Sequence, residues 1–269
     1  MTASERIISG KCEPSSAFMP QVALRMFASA ECGAEAMSTG TATFAATALL
    51  PYHTHRFSEA VTILEGEAVF RVEGRSYRLR PLDSIHVPTG VAHEVLNASD
   101  TRPLVALSAF ASPIPTRSSV DRQFLQQDRT SSDPSPEDPE RITRFGKTDL
   151  YELAQNTTFC DLFAGRYGSV GICGGYGKFQ PGSSLPCHIH QYDESITIVG
   201  GEATCEVAGR RYHLSGYDTA FVPRGKPHRF LNESDDTMAM IWVYAGSEPS
   251  RSIVDVEYCV GLRPWEELR

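Results

Sequence analysis

Short apolar runs separated by turn-forming residues dominate the hydrophobic and polar pattern of the chain. The runs are AVTIL, AVFRV, SYRL, SIHVP, HEVL and LVALSAF in the first half, and SITIV, ATCEV, RYHL, TAFVP, HRFL and TMAMIWVYA in the second. Each run has the length of a strand, and Gly, Asp, Pro and Asn recur between runs at roughly 8 to 12 residue spacing. The pattern predicts an all-β chain of antiparallel sandwiches or barrels. Helix is predicted only for SVDRQFLQQ and PWEELR.

The two sets of strands are copies of one another. The segments that begin at His53 and His188 align without a gap at a constant offset of 135 residues. They agree at about 20 of about 45 positions, which indicates an internal duplication. Between the copies lies DRTSSDPSPEDPER, where Pro, Ser and acidic residues leave no apolar period. We therefore predict one barrel at residues 1–127, a linker at 128–145 and a second barrel at 146–269.

The amino-acid composition limits the kinds of molecule that the chain is expected to bind. The chain has 33 acidic and 25 basic residues among its 269, so no basic face for nucleic acid is indicated. No apolar run approaches the ~18 residues that a membrane span requires, and the first residues lack the pattern of a secretory signal. We expect a cytoplasmic protein, a monomer or homodimer, whose partner is a small molecule.

The cysteines are scattered without a CxxC pair, at positions 12, 32, 160, 173, 187, 205 and 259. An odd number in this arrangement favours reduced thiols over a disulfide framework or a zinc ribbon. Cys187 directly precedes His188, and because neighbours on a strand face opposite sides, it is expected to pack rather than to bind metal.

Each copy contains a pattern of histidine and glutamate that suits a metal ion. On a strand, residues two apart face the same side, so His53 and His55 can bind one ion while Thr54 points away. Glu59 returns to that face after a turn, and His93 comes from a later strand that only a closed sheet would bring opposite. The second copy repeats the set with His188, His190, Glu194 and His228.

Three imidazoles and one carboxylate suit a divalent first-row metal, and ligand type alone does not choose among Fe, Mn, Ni, Co and Zn. We predict one such ion per barrel. On a metal that prefers six ligands, four protein ligands leave two positions for a substrate or dioxygen.

The full pattern, HxHxxxE, six residues, Gly and then PxGxxHxxxN, resembles the two sequence motifs of the cupin superfamily. The matching residues are His53, His55, Glu59, Gly66, Pro88, Gly90, His93 and Asn97, and again His188, His190, Glu194, Gly201, Pro223, Gly225, His228 and Asn232. The chain is thus similar to a bicupin. One departure is that Leu82 and Tyr217 replace the glycine that usually precedes the aspartate before the second motif.

The resemblance implies two small antiparallel barrels, called a double-stranded β-helix or jelly roll, with the metal inside and bound by the three histidines and the glutamate. Short peripheral helices complete the expected fold. The family includes metal-dependent dioxygenases, oxalate decarboxylase, sugar isomerases, storage proteins and sensor domains, so the fold does not determine the function.

Three functional hypotheses follow. The first is a non-haem metal-dependent dioxygenase acting on a small chelating substrate that is enolisable or aromatic. The second is a redox-neutral isomerase, lyase or decarboxylase, which needs a group that moves a proton near the metal. Candidates for that group are Tyr52, His86, Tyr192, His213 and Cys187. The third is a small-molecule-binding bicupin without catalytic activity.

Two further features are interpreted structurally. The stretch GICGGYGKF has several glycines but lacks the context of a dinucleotide or P-loop site, so we interpret it as a flexible strand entry. Asn97 and Asn232 are expected to cap strand ends through bonds from side chain to backbone.

Overall fold

The computed structural model describes residues 4–10, 16–125, 127–128 and 133–268. Antiparallel strands make up most of this part of the chain, and helix is confined to short pieces. These pieces are α1 (Val256–Val260) and single 3₁₀ turns at Ala30–Cys32, Phe145–Lys147, Gly165–Tyr167 and Trp265–Leu268. The predicted all-β class with short peripheral helices is confirmed.

The strands of the first half are, in chain order, β1 (Arg6–Ile8), β2 (Ser16–Met19), β3 (Val22–Ala28), β4 (Ser38–Phe44), β5 (Leu49–Thr54), β6 (Glu59–Glu65), β7 (Ala68–Val72), β8 (Arg75–Leu79), β9 (Ser84–Val87), β10 (His93–Asn97), β11 (Leu104–Phe110), β12 (Ser118–Ser119), β13 (Gln127–Asp128) and β14 (Arg141–Thr143). Those of the second half are β15 (Thr157–Phe163), β16 (Cys173–Phe179), β17 (His188–Ile189), β18 (Glu194–Gly200), β19 (Glu202–Val207), β20 (Arg210–Ser215), β21 (Thr219–Val222), β22 (His228–Leu231), β23 (Met238–Tyr244) and β24 (Ser252–Ile253).

Each half forms a barrel from two sheets. In the first barrel the sheets have the orders β14-β9-β6-β11-β4-β3-β2 and β12-β5-β10-β7-β8-β13. In the second barrel they have the orders β1-β21-β18-β23-β16-β15 and β20-β19-β22-β17-β24. The alternation of apolar and polar residues along these strands places one face inside the barrel, which is why the apolar runs of the sequence correspond to them.

The two barrels exchange one strand each. β1, from the start of the chain, pairs with β21 of the second barrel, whereas β14 pairs with β9 of the first barrel. The sequence Glu-Arg-Ile, at residues 5–7 and 140–142, spans the start of each strand, with the glutamate directly before it, so the duplication reaches these segments at the same offset. The predicted domain boundaries stay a prediction, but residues 141–143 of the predicted linker are part of a sheet.

A buried carboxylate anchors each exchanged strand. Glu140 is fully buried and accepts two hydrogen bonds from the Arg75 guanidinium, at 2.8 and 2.9 Å, and one from the Tyr77 hydroxyl at 2.7 Å. Glu5 makes the equivalent contacts in the second barrel, with Arg210 at 3.0 Å and Tyr212 at 3.2 Å. Bidentate bonding of this kind is the strong form of an arginine–carboxylate contact. The exchange is therefore fixed by side chains as well as by backbone pairing.

Three apolar clusters stabilise the molecule. One fills each barrel, around Phe70 and Tyr77 in the first and around Phe179 and Phe230 in the second. The third lies between the barrels, where Leu107 from β11 packs near Phe221 and residues of β23. This third cluster packs the two barrels against each other.

Two smaller expectations meet different outcomes. Asn97 Nδ2 donates to the carbonyls of Ala45 at 2.9 Å and Arg102 at 2.8 Å, and Asn232 makes equivalent bonds, so the capping prediction is confirmed. The helix predicted at SVDRQFLQQ is wrong: residues 118–119 and 127–128 are strands, residues 120–125 have no regular structure, and residue 126 lies outside the described residues. Edge pairing to β5 and β8 overrides the local helical pattern.

The expectation of reduced cysteines is wrong for one pair. Cys187 forms a disulfide with Cys259 of α1, 72 residues further along the chain. The side chain of Cys187 points away from the metal cluster, as expected from its position beside His188, and meets α1 where that helix packs back on the second barrel. Cys160, Cys173 and Cys205 are buried free thiols and Cys32 is a half-buried one.

Candidate metal centres

The predicted ligands occupy equivalent strand ends in the two barrels. In the first barrel, β6 begins with Glu59 and β10 begins with His93, and His93 lies directly opposite His53 of β5. In the second barrel, His188 lies directly opposite His228. Strand pairing therefore brings together residues that are far apart in the sequence.

All eight predicted residues are gathered into two buried clusters. In each cluster the candidate ligand atoms lie within 4.8 Å of one another. The first contains His53, His55, Glu59 and His93, and the second contains His188, His190, Glu194 and His228. The expectation of one buried His/Glu metal site per barrel is confirmed.

Backbone carbonyls orient the first cluster's imidazoles. His53 Nδ1 donates to the carbonyl of Pro51 at 2.8 Å, His55 Nδ1 to that of Thr116 at 2.6 Å, and His93 Nδ1 to that of Val91 at 3.0 Å. A proton on Nδ1 leaves the Nε2 lone pair free to bind a metal ion.

The second cluster is oriented in the same way. His188 Nδ1 donates to Pro186 at 2.9 Å, His190 Nδ1 to Ser250 at 2.6 Å and His228 Nδ1 to Lys226 at 2.9 Å. Both clusters therefore direct three Nε2 atoms at one point.

The Nε2 atoms face a carboxylate oxygen, which tests whether a cation fits. His190 Nε2 and His228 Nε2 lie 3.3 and 2.6 Å from Glu194 Oε2. These three buried atoms have no hydrogen-bond partner within the described residues. Lone pairs on nitrogen and oxygen at this distance repel unless a cation lies between them. The donor set therefore fits a metal ion.

Burial and neighbouring charge set the titration of the first cluster. Burial, with the charge of His93, lowers the pKa of His53 to about 3. Burial acts in the same direction on His55, but the hydrogen bond and charge of Glu59 outweigh it and raise the pKa of that imidazole. Burial would raise the pKa of Glu59, yet the bonds from His55 and His93 hold it well below its usual range. The carboxylate is thus ionised and ready to bind a cation.

The second cluster also combines a lowered pKa on its first histidine with a lowered pKa on its glutamate. Burial and the neighbouring His228 hold the pKa of His188 well below its usual range. Against the effect of burial, His228 and His190 lower the pKa of Glu194. Neutral imidazole beside ionised carboxylate is the protonation state that a metal site requires.

A cavity of about 410 Å³ opens onto the second cluster. His188 and Glu194 form part of its wall, and five aromatic side chains form another part. Those aromatic residues are Tyr151, Phe159, Phe230, Trp242 and Tyr244. Ligand pockets of this kind combine an apolar wall with a few polar groups that fix orientation.

Glycines of β16 make room for two of these rings. A Cβ added at Gly175 would lie 2.5 Å from Trp242 Cζ2, and one at Gly177 would lie 2.5 Å from Phe159 Cε1. The rings therefore pack against the bare backbone of β16, an arrangement in which aromatic side chains cover glycines of the neighbouring strand. The stretch GICGGYGKF is thus the support of the cavity wall, and its interpretation as a flexible strand entry misses this role.

A carboxylate is buried in the wall of the same cavity. Asp161 is 3% exposed, accepts a hydrogen bond from the Tyr151 hydroxyl at 2.6 Å and lies 3.0 Å from the Arg166 guanidinium. Burial and Asp161 raise the pKa of Tyr151, so the phenol keeps its proton. Asp161 is consequently a fixed, hydrogen-bonded acceptor in the wall of the cavity that opens onto the metal cluster.

The residues predicted to move a proton either lie away from this cavity or already bond to another group of the protein. The Tyr52 hydroxyl bonds Gly74 N, the Tyr192 hydroxyl bonds the Ser250 carbonyl, and His213 lies on an exposed edge. His86 is buried on β9 and Cys187 is in the disulfide. Sequence reasoning missed Asp161 and Trp242, because their common location depends on how β15 and β23 flank β16.

Comparison with known proteins agrees with this geometry. The sequence profile of the cupin domain matches residues 40–110 and again residues 175–244, together more than half of the chain. The chain therefore belongs to the cupin family. With one buried His/Glu site in each of two barrels, it is a metal-binding bicupin. No curated protein sequence matches the chain significantly.

Solved structures of Bacillus subtilis oxalate decarboxylase have a similar fold. A two-residue deletion mutant aligns with a TM-score of 0.75 at 15% identity, over 92% of this chain and 79% of that one. The structure of the enzyme at pH 4.6 aligns with a TM-score of 0.69 at 13% identity, over 87% and 74% of the two chains. A structure from work on its Mn(II) centres aligns with a TM-score of 0.70 at 13% identity, over 87% and 75%. At this identity the likeness shows the fold alone.

Among the described residues, no helix is both long and apolar enough to cross a bilayer. The expected cytoplasmic location, the small-molecule partner and the state as monomer or homodimer stay predictions.

Proposed function

We propose that the protein is a metal-dependent bicupin enzyme that carries out a redox-neutral reaction, decarboxylation first among them, on a small carboxylic acid in its second barrel. His188, His190, Glu194 and His228 are the proposed ligands there, and His53, His55, Glu59 and His93 are the proposed ligands in the first barrel. Among the candidate metals we propose Mn(II), because oxalate decarboxylase, which shares the fold, has Mn(II) centres.

One observation carries the proposal: the cavity that opens onto His188 and Glu194 also contains the buried carboxylate of Asp161. A reaction that makes or breaks C–H bonds without oxidation needs a group that holds or moves a proton near the substrate. Asp161 is in position to do this, since Tyr151 and Arg166 hold it in one orientation.

The metal, when bound, would supply Lewis-acid polarisation of a substrate oxygen. The C–C bond to the departing carboxylate then breaks and CO₂ leaves. The electron pair that stays on carbon takes up a proton, which Asp161 passes on from solvent. The aromatic wall limits the entry of water, and the guanidinium of Arg251 lies at the cavity wall where it can attract an anionic substrate. No oxidant is consumed.

The test compares gas exchange by protein loaded with Mn(II). We expect CO₂ release without oxygen uptake when oxalate, benzoylformate and other 2-oxo and 3-oxo acids are supplied in air-saturated buffer. His188→Ala with His190→Ala should abolish the release, whereas His53→Ala with His55→Ala serves as the matched control in the first barrel. Oxygen uptake in proportion to turnover would instead support the dioxygenase hypothesis, and the absence of both would support a binding protein.

A further inference from the structure

The residues on either side of Glu194 both bond to the first barrel. Asp193, which is buried and directly precedes β18, accepts a hydrogen bond on Oδ2 from the backbone N–H of Glu35 at 2.9 Å. The hydroxyl of Ser195 and that of Thr39 on β4 are hydrogen-bonded to each other at 2.7 Å, and both residues are buried. Because neighbouring residues of an extended chain face opposite sides, these two contacts lie behind the side chain of Glu194.

Asp193 also connects two segments that carry histidines of the second cluster. Its other carboxylate oxygen, Oδ1, accepts a hydrogen bond from the backbone N–H of Arg224 at 3.1 Å, in the turn that leads to His228. The next residue of that turn, Gly225, donates its N–H to the carbonyl of His190 at 2.8 Å. Bonds from backbone N–H to an ionised carboxylate are charge-assisted and stronger than neutral ones. One buried carboxylate thus joins the chain before the ligand glutamate, the turn before a ligand histidine and the first barrel.

The first barrel has a weaker form of the same contact. Ser58, at the position that matches Asp193, donates a hydrogen bond from its hydroxyl to the carbonyl of Val170 in the second barrel. Ala60, at the position that matches Ser195, has no hydroxyl for a second bond. The glutamate of the first centre is therefore flanked by one bond between neutral groups. That of the second centre is flanked by two bonds, one of them to a carboxylate.

We propose that the first barrel positions Glu194 for metal binding at the second centre. Thr39 acts through Ser195, and the backbone amide of Glu35 acts through Asp193. None of these four residues belongs to the clusters of candidate ligands, so they are positioning residues. Groups that hold ligands in place support metal affinity although they do not touch the ion.

The proposal goes beyond the proposed function. It uses the proposed ligands of the second centre but not the reaction, so the absence of CO₂ release from every acid would overturn the proposed function and leave this inference standing. The segments of the first barrel that make the contacts contain no ligand of the first centre. The effect therefore does not require a metal ion there.

Mn(II) binding to protein with a single centre tests the proposal without turnover. His53→Ala with His55→Ala keeps only the second centre, and electron paramagnetic resonance separates free from bound Mn(II) and reports the surroundings of the bound ion. Thr39→Val, a change in the other barrel, keeps the shape of the side chain but leaves the buried hydroxyl of Ser195 unpaired. We expect Mn(II) to bind this variant about tenfold more weakly, at the low end of what the loss of a supporting hydrogen bond costs a metal site. Thr39→Ser restores the hydroxyl and should restore the affinity.

Three further variants in the same background separate positioning from general loosening of the contact between the barrels. Asp193→Ala removes both carboxylate bonds and should weaken Mn(II) binding by about tenfold or more. Glu35→Gln breaks the exposed ion pair with Arg224, 3.1 Å long, but keeps the backbone N–H, so the affinity should equal that of the parent. Ser58→Ala breaks the matching bond beside the first centre and should also leave the second centre unchanged.

Thermal unfolding of the metal-free variants shows whether each one is folded. If Asp193→Ala does not fold, Thr39→Val, which preserves the packing, decides the question. Parental Mn(II) affinity in folded Thr39→Val would overturn the proposal. A loss of affinity in Ser58→Ala or Glu35→Gln as large as that in Thr39→Val would overturn it too, because any change at the contact between the barrels would then have the same effect.

Discussion

The two metal centres are built alike and differ in what surrounds them. The His53–His93 and His188–His228 ring centroids are both 4.3 Å apart, and every imidazole donates its Nδ1 proton to a backbone carbonyl. Around the second centre, however, aromatic residues and Asp161 line a cavity. At the positions that match Phe159, Asp161 and Trp242 the first barrel has Leu24, Met26 and Ser108.

Because the surroundings of the two centres differ, binding a metal and acting on a substrate can belong to different barrels of a duplicated chain. The residues that hold a metal come from backbone pairing and short motifs, which both copies retain. The residues proposed to contact a substrate come from side chains on the neighbouring strands, where the copies differ. We infer that the first centre contributes to structure or to metal content and that the second centre is catalytic.

The largest expected effect comes from removing ligands in one barrel at a time. His188→Ala with His190→Ala should reduce the metal content from two ions per chain to one and lower turnover by more than about 100-fold, since Lewis-acid stabilisation is worth several kcal/mol. His53→Ala with His55→Ala should lose the same amount of metal with little loss of turnover. Elemental analysis and a CO₂ assay measure both quantities. A comparable loss of turnover in both variants would contradict the inference that only the second centre is catalytic.

The next effect concerns the carboxylate in the cavity wall. Asp161→Asn keeps the shape and the bond to Tyr151 but cannot take a proton, so kcat should fall about 100-fold while KM stays within a few-fold. The control is Met26→Leu at the matching position of the first barrel, which should behave as the parent. An unchanged kcat would exclude Asp161 from the reaction.

A smaller effect is expected from the disulfide, which joins Cys187 and Cys259 of the second barrel. Replacing Cys187 and Cys259 by serine should lower the free energy of unfolding by about 2–4 kcal/mol, because the bridge closes a long loop. Urea denaturation measures the change, and hydrogen exchange should place it in β17 and α1. Cys32→Ser, a half-buried free thiol, is the control. If hydrogen exchange became faster by the same factor in both barrels, the disulfide would not act locally on the second barrel.

The smallest effect concerns His86, whose matching residue in the second barrel is Phe221. Burial, with the charge of Arg141, lowers the pKa of His86 to about 4, so the unfolded chain binds the proton more readily than the folded one. His86 therefore costs stability as the pH falls from about 6.5 to 4, by up to about 3 kcal/mol.

His86→Phe copies the second barrel and should flatten this pH dependence while leaving stability at pH 8 within about 1 kcal/mol. Thermal unfolding of metal-free protein at several pH values gives the comparison, with the difference between variant and parent isolating His86 from the other buried histidines. A pH dependence identical to that of the parent would show that His86 titrates normally in the fold.

The metal clusters were predictable from the sequence because strand geometry alone places residues two apart on one face. The duplication strengthened that prediction, since His53 and His188 begin the same pattern 135 residues apart. The all-β class followed from the same runs. These features depend on local spacing, which a single sequence displays directly.

Features that depend on packing across the fold were not predictable in the same way. The exchange of β1 and β14 had a signal in the repeated Glu-Arg-Ile, but three residues are too few to stand out. The disulfide required knowing that α1 returns to Cys187. The cavity required knowing that the glycines of β16 lie beneath Trp242 and Phe159, a consequence of side-chain volumes on three adjacent strands.

The most direct test of the central claim is electron paramagnetic resonance of Mn(II) in protein that retains only one centre. The His53→Ala, His55→Ala variant keeps the second centre, and the His188→Ala, His190→Ala variant keeps the first. The account predicts that benzoylformate changes the Mn(II) spectrum of the second centre and leaves that of the first unchanged. A change at the first centre, with none at the second, would contradict it.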